Sequence, residues 1–266
     1  MSLMHAFDYT RPTSTAEAVK LIQSGGQALA GGQTLLASLK LRLAAPEQLV
    51  DLGGIAELKG VRKEGDHIII GAMTCHGAVA HDPLVHDELH AVAKLAHGIG
   101  DKQIRAMGTI GGSVANDDPA ADYPAALLAL GATINTTTRK IAADDFFQGV
   151  FATALEAGEL ITSISLPIPQ RAAYVKFVQP ASLFALIGVF VAQFKKGVRV
   201  AVTGGGNGVF RQQEMEQALS RHFTADAIAG IKTDEGELSS DLHGSSAYRA
   251  HLVTVIAQRA VAQALA

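Results

Sequence analysis

A single cysteine, Cys75, stands among 266 residues. One thiol cannot close an internal disulfide. It cannot hold an iron–sulfur cluster, which takes about four cysteine ligands. Any one-electron chemistry in this chain therefore needs a bound organic cofactor or a partner. No apolar run reaches the roughly 18 residues that a membrane span requires. The opening "MSLMHAFDYTRP" lacks the charged end and apolar stretch of a signal peptide, so a soluble, cytoplasmic protein is expected. The net charge is −3 and the 22 Lys and Arg residues are scattered rather than clustered, so there is no electrostatic footprint for nucleic acid. A His-Glu-x-x-His pair and a Gly-x-Ser-x-Gly elbow are both missing. His86, His90 and His97 fall on one helical face, but no metal site is expected from them. Cys75 has only His76 as a possible activating neighbour and reads as a buried, inert thiol.

What is present is a rather apolar chain, 48% hydrophobic and 18% charged, long enough for two domains or for one domain with a smaller one appended. "TSTAEAVKLIQSGG" has helical spacing, with Ser14 and Glu17 at capping-box distance and Gly25-Gly26 as a stop. A short strand, "QALA", runs into Gly31-Gly32. A helical "LLASLKLRLA" ends before Pro46, and "QLVDL" reads as a strand. "GVRKEGDHIIIGAMT" reads as a hairpin around Glu64-Gly65-Asp66. Thr74 is placed to cap a short helix that ends before Pro83, and "HDELHAVAKLAHGIG" reads as the next helix. "YPAALLALGA" is helical, with Asp122 ahead of it and Gly131 past its end, and "ATINTTT" and "LITSISLPIP" read as strands. After Pro167 the pattern changes to three strand-like runs, "AYVKFV", "FALIGVFVAQF" and "VRVAVTGG". Helical "RQQEMEQALS" and "ADAIAG" follow, then a long amphipathic C-terminal helix. Strands followed by helices predict a separate α+β unit, with a boundary near residue 170.

Two Gly-Gly pairs carry the first chemical signal. In Gly31-Gly32-Gln33-Thr34-Leu35, glycines after a strand let backbone N–H groups converge on an anion, and Thr34 adds a hydroxyl. Thr109-Ile110-Gly111-Gly112-Ser113 repeats that chemistry. Two such loops suit a diphosphate, although each alone also reads as a plain turn. In "NDDPAAD", residues Asn116, Asp117, Asp118 and Asp122 have metal-ligand chemistry, but they are equally turn formers, with Asp122 as a helix cap. "VTGGGNGVF", Val202 to Phe210, is the richest glycine cluster. It fails the dinucleotide fingerprint, whose third glycine position is Val209, and reads as a structural turn. Lys176 alternates with apolar neighbours, as a solvent-facing strand lysine does.

The order "AGGQTLL … LVDLGGI … IIIGAMT … DKQIRAMGTIGGSVANDDPAADYPAALLALGA … ELITSISLP" resembles the FAD-binding medium subunit of the molybdenum hydroxylases, the xanthine dehydrogenase and carbon monoxide dehydrogenase type. The resemblance covers essentially the whole chain. It implies an α+β fold: a two-subdomain FAD-binding domain of the vanillyl-alcohol-oxidase/PCMH type over residues 1–170 (subdomains about 1–55 and 56–170), then a smaller α+β domain over 171–266. It implies FAD as cofactor, an oxidoreductase complex, and no catalytic residue or metal ligand in this chain. Ala28, Leu29, Ala30, Gly31, Gly32, Gln33, Thr34 and Leu35, with Thr109, Ile110, Gly111, Gly112 and Ser113, would hold the pyrophosphate. Asp122 would match the family's acidic FAD-binding position. Ile99 and Ile161 would flank the cofactor, and Lys176 would lie at the flavin ring, where a cation favours the anionic reduced form. The implied partners are a small two-iron (2Fe-2S) subunit, a large molybdenum-cofactor subunit and an external electron acceptor. Two other readings stay open from the residues alone: a stand-alone FAD-dependent oxidoreductase, and a scaffold subunit that has lost FAD.

Overall fold

Three short parallel strands come first. In the computed structural model, which describes residues 4–266, β1 (Asp8–Thr10), β2 (Gln27–Leu29) and β3 (Gln48–Asp51) form a sheet in the order β1-β3-β2. Parallel neighbours need crossovers, and α1 (Thr15–Gln23) and α2 (Leu35–Lys40) supply them. The Ser14 hydroxyl accepts the Glu17 N–H at 3.3 Å, but Glu17 accepts from the N–H of Thr13, so the capping box is offset by one residue. Helix α2 is shorter than its pattern suggests. It stops at Lys40, and Arg42 turns left-handed at φ 59°.

Next come β4 (Val61–Glu64) and β5 (His67–Gly71), paired as the expected hairpin. A helical layer follows: α3 (His76–His81), α4 (Pro83–Glu88), α5 (His90–His97), α6 (Lys102–Met107), α7 (Ile110–Asn116) and α8 (Tyr123–Leu130). Cys75, not Thr74, occupies the cap position of α3. The Thr74 hydroxyl is engaged with the backbone of Gly60, accepting its N–H at 3.0 Å and donating to its carbonyl at 3.2 Å. The stretch expected as one helix from His86 breaks at Leu89, whose ψ is 48°. Then β6 (Thr133–Thr136), β7 (Lys140–Ala142), α9 (Ala143–Phe146), the small pair β8 (Phe147–Gly149) and β9 (Ala152–Thr153), and β10 (Ile161–Pro167) complete this region. Its sheet is antiparallel, in the order β4-β5-β10-β6-β7.

The chain ends with β11 (Arg171–Val178), β12 (Ala185–Phe194), β13 (Gly197–Thr203) and β14 (Phe210–Arg211) in one antiparallel sheet, covered by α10 (Gln213–Arg221) and α11 (Ser246–Leu265). "ADAIAG" forms only a 3-10 turn, Ala225–Ile228. Every residue of α8 is buried, as a helix apolar on all sides requires. It packs in one core with Ile70, Ile134 and Ile164 of the middle sheet and with Phe190 and Ala201 of the last.

Two backbone contacts set the geometry between these layers. Residues 72–76 lie along 108–111: Gly111 N donates to Ala72 O at 2.8 Å, Ile110 N to Thr74 O at 3.1 Å, and His76 N to Gly108 O at 2.9 Å. Gly31 then rests directly on this ladder. A Cβ there would lie 2.3 Å from Met107 O and 2.6 Å from Gly108 Cα, so only glycine fits. Gly31→Val is expected to lower stability by roughly 2–3 kcal/mol in urea unfolding. Gly230→Ala, where a Cβ meets nothing within 4 Å, should stay within about 0.5 kcal/mol.

Candidate functional site

A cleft of about 640 Å³ opens where the first sheet meets the helical layer. That volume lies within the roughly 300–1,000 Å³ of small-molecule sites. Its walls come from residues 22–52, 72–122 and 155–184. Of the residues expected to bind a cofactor, it gathers Ala28, Ala30, Gly31, Gly32, Gln33, Thr34, Leu35, Ile99, Thr109, Gly111, Gly112, Ser113, Asp122 and Ile161. Leu29, Ile110 and Lys176 do not line it. Ile110 is buried in the core beneath.

The two Gly-Gly segments meet at their bases. A Cβ on Gly112 would lie 3.2 Å from Ala30 Cβ and 3.9 Å from Gly31 N. Their chemistry nevertheless differs. The second segment is not a loop with converging free N–H groups, because it is the first turn of α7. Ile110 N and Gly111 N donate to Thr74 O and Ala72 O, Ser113 N donates to Thr109 O, and Gly112 N donates to the Thr109 hydroxyl at 3.1 Å. What it offers the cleft is hydroxyls, from Thr109 and Ser113. The first segment is the opposite. Gly32 adopts φ 70°, Thr34 makes no side-chain cap, and the N–H groups of Gly32, Gln33, Thr34 and Leu35 have no acceptor among the described residues. Four free N–H groups and two hydroxyl side chains on residues that line one cleft make a donor set suited to a diphosphate. No Lys or Arg lines the cleft among the described residues, so the anion would be held by dipoles rather than by cations.

Two carboxylates in the walls, Asp122 and Glu159, are paired with cations from behind. Asp122 is buried and, contrary to the cap reading, makes no cap bond. Its oxygens accept from Tyr174 Oη at 2.5 Å and from Lys176 Nζ at 3.0 Å. Burial pushes the Asp122 carboxyl up, and Lys176 and Tyr174 oppose that shift. Lys176 is therefore not a solvent-facing lysine. Its side chain is 10% exposed, and it also donates to Gly98 O and Leu183 O. Glu159 accepts from Arg139 Nε and Nη2, each at 3.0 Å, and from the hydroxyls of Thr136 and Thr138. Arg139 and these donors hold its carboxyl well below the usual range. The glycine cluster after β13 is structural, as expected. Gly204 N and the Thr203 hydroxyl donate to Pro119 O, and Thr203 also donates to Ala121 O. These bonds clamp the run that leads into Asp122.

Four of the ten histidines pair as rings, His86 with His90 and His81 with His97, and no cluster of three metal-ligating side chains occurs among the described residues. Cys75 is half-buried rather than buried. Sequence reasoning passed over His76 as a wall residue. It is 5% exposed and lines the cleft, and its only sequence signal was its place next to Cys75.

A family model described as "FAD binding domain in molybdopterin dehydrogenase" matches residues 5–169. The chain belongs to this family. It therefore binds FAD and forms part of an oxidoreductase. This family member is 36% identical to the carbon monoxide dehydrogenase medium chain of Afipia carboxidovorans, over 98% of this chain and 97% of that one. It is 34% identical to the glyceraldehyde dehydrogenase medium chain of Sulfolobus acidocaldarius, over 96% of each. Among solved structures, carbon monoxide dehydrogenase from Hydrogenophaga pseudoflava matches with a TM-score of 0.90 at 34% identity over 98% of both chains. Quinoline 2-oxidoreductase from Pseudomonas putida 86 matches at 0.89 and 27% identity, over 99% of this chain and 98% of that one. No helix among the described residues is long and apolar enough to cross a membrane.

One buried residue near the cleft wall, but not lining it, works against the fold. Asp117 ends α7 in the left-handed conformation (φ 43°), is 1% exposed, and has no partner for either carboxylate oxygen. Burial, aided by the charge of Asp118, pushes its carboxyl up to about 7. A carboxyl raised on folding binds its proton more tightly in the native state, so it costs stability as pH rises from the unfolded value toward and above 7. Asp117→Asn should raise the melting temperature at pH 8. It should also flatten the decline in stability that the wild type shows between about pH 5 and 8, as followed by thermal melts across that range.

Proposed function

We propose that this chain is the FAD-carrying electron-transfer subunit of a molybdenum hydroxylase complex. It would receive electrons from a small two-iron subunit and deliver them to an external acceptor, while a large molybdenum subunit oxidises the substrate. The observation that carries this reading is the cleft's donor set: four unpartnered N–H groups at 32–35 in one cleft with the Thr109 and Ser113 side chains. The relatives support the rest, since the match spans nearly their full length and they are named as medium chains or subunits of dehydrogenases.

When bound, FAD supplies the chemistry of accepting and releasing electrons. The chain's residues bind and orient it. The N–H groups of Gly32 to Leu35 and the hydroxyls of Thr109 and Ser113 would hold the diphosphate. Ile99 and Ile161 supply apolar wall to the same cleft. Lys176 acts through Asp122, placing a compensated charge pair at the edge of the cleft. Residues 1–170 form the cofactor-binding domain in this reading. Residues 171–266 form an α+β domain that covers α8 and clamps residues 119–121 through Thr203 and Gly204.

The purified chain should show flavin absorption bands and release FAD on denaturation. Thr109→Val, which removes a hydroxyl from the donor set, should weaken FAD binding about tenfold in a fluorescence titration. In the assembled complex, substrate should reduce the flavin only when the two-iron and molybdenum subunits are both present. Flavin reduction by substrate in the isolated chain would instead support a stand-alone oxidoreductase. A colourless chain that ignores added FAD would support a scaffold.

A further inference from the structure

We propose that His76 is a further cofactor-holding residue, whose Nε2 donates a hydrogen bond to the FAD diphosphate beside the contact between Gly31 and Gly108. The inference rests on the placement of FAD in the cleft described above.

The imidazole is 5% exposed, lines the cleft, and makes no side-chain hydrogen bond in the chain. Its two nitrogens are not equivalent. Nδ1 is sealed from solvent without a partner, whereas Nε2 is not sealed. The nitrogen that reaches open space is therefore Nε2. Its position is fixed by the adjoining chain, because a Cβ on Gly108 would lie 2.7 Å from Nε2. Gly108 is also the residue on which Gly31 packs, and it immediately precedes Thr109. Nε2 thus stands at the junction of the two Gly-Gly segments, next to the hydroxyl and N–H donors assigned to the diphosphate.

Hydrogen-bond accounting selects the tautomer. The Tyr123 ring lies with its centroid 5.4 Å from that of His76, and the Tyr123 hydroxyl is also buried without a partner. A proton on Nδ1 would leave the buried phenol proton without an acceptor on the imidazole. A proton on Nε2 makes Nδ1 an acceptor to which the phenol could donate, and puts the N–H on the nitrogen that is not sealed. Burial, with the nearby Arg105 charge, pushes His76 down to about 4. The ring is therefore a neutral donor at pH 7, in keeping with a site that holds its anion without cations. Leaving Nε2 unpartnered in the wall costs less in a solvated cleft than in a dry one, so the contact is made when the cofactor excludes water.

The test is a titration of the full chain with three probes: FAD, ADP, which keeps the diphosphate, and riboflavin, which has none. His76→Leu should weaken FAD and ADP about tenfold or more, since a hydrogen bond to a charged group is lost. Riboflavin affinity should change by less than about twofold, within the ordinary scatter of surface-level effects. His76→Gln, which keeps an N–H near the same point, should restore FAD affinity to within about threefold. If the leucine variant does not fold, the glutamine variant decides the matter: the ³¹P resonances of bound FAD should move relative to wild type. Unchanged ³¹P resonances overturn the proposal. An equal loss for FAD and riboflavin also overturns it. Unchanged FAD affinity in His76→Leu, with Thr109→Val still weakened, overturns the role of His76 alone. Unchanged affinity in both variants overturns the placement of the diphosphate and this inference with it.

Discussion

The structure turns on the seat of Gly31 against Met107 and Gly108. No side chain fits there, because the two backbones touch. That contact holds the first parallel sheet against the helical layer at a fixed distance, and the cleft is the space left between them. The ladder from Ala72 to His76 along Gly108 to Gly111 makes the second surface rigid. The glycines at 31 and 111 thus serve the protein's own packing before they serve a ligand. In the proposed placement, the ligand-facing chemistry would fall to their neighbours, the free N–H groups after Gly31 and the hydroxyls at 109 and 113.

Charge is arranged around the cleft by the same economy of contact. Three carboxylates line it, at Asp118, Asp122 and Glu159, and an anion would be repelled if they stood bare. Asp118 accepts the N–H of Ala120, Glu159 is gripped by Arg139 and two threonines, and Asp122 by Lys176 and Tyr174. Lys176 and Arg139 stand behind the walls and compensate Asp122 and Glu159. In the proposed placement, the diphosphate would be left to fixed dipoles, which need no reorganisation when it arrives. The last sheet contributes to this although little of it lines the cleft. Tyr174 and Lys176 reach in from β11, and the turn after β13 grips Pro119 and Ala121.

Much of the fold was legible in the sequence where a local pattern decided the outcome. The β4–β5 hairpin follows from two apolar runs around Glu64-Gly65-Asp66, and α8 from an uninterrupted apolar stretch closed by Gly131, which takes the left-handed conformation at φ 63°. The "TGGGNG" cluster read correctly as a turn because its glycine spacing fails the nucleotide fingerprint. The misreadings occurred where a distant partner outbid a local one. Thr74 and Asp122 both sit where caps are expected, yet Gly60 takes the first and Tyr174 with Lys176 take the second. Lys176 alternates like an exposed strand residue, and only the buried carboxylate opposite shows why it is covered.

By itself, the sequence determined the kind of site: two glycine pairs in a recognisable order, one thiol too few for any cluster, and no charge pattern for nucleic acid. Those are properties of residue type and spacing, which local chemistry sets. Tertiary structure alone decided which half of the paired motif offers N–H groups and which offers hydroxyls, because a backbone donor is free or spent according to what lies beside it. It also brought His76, silent in the sequence, to the wall beside Gly108. Burial and long-range packing made those choices, and neither can be read from neighbours along the chain.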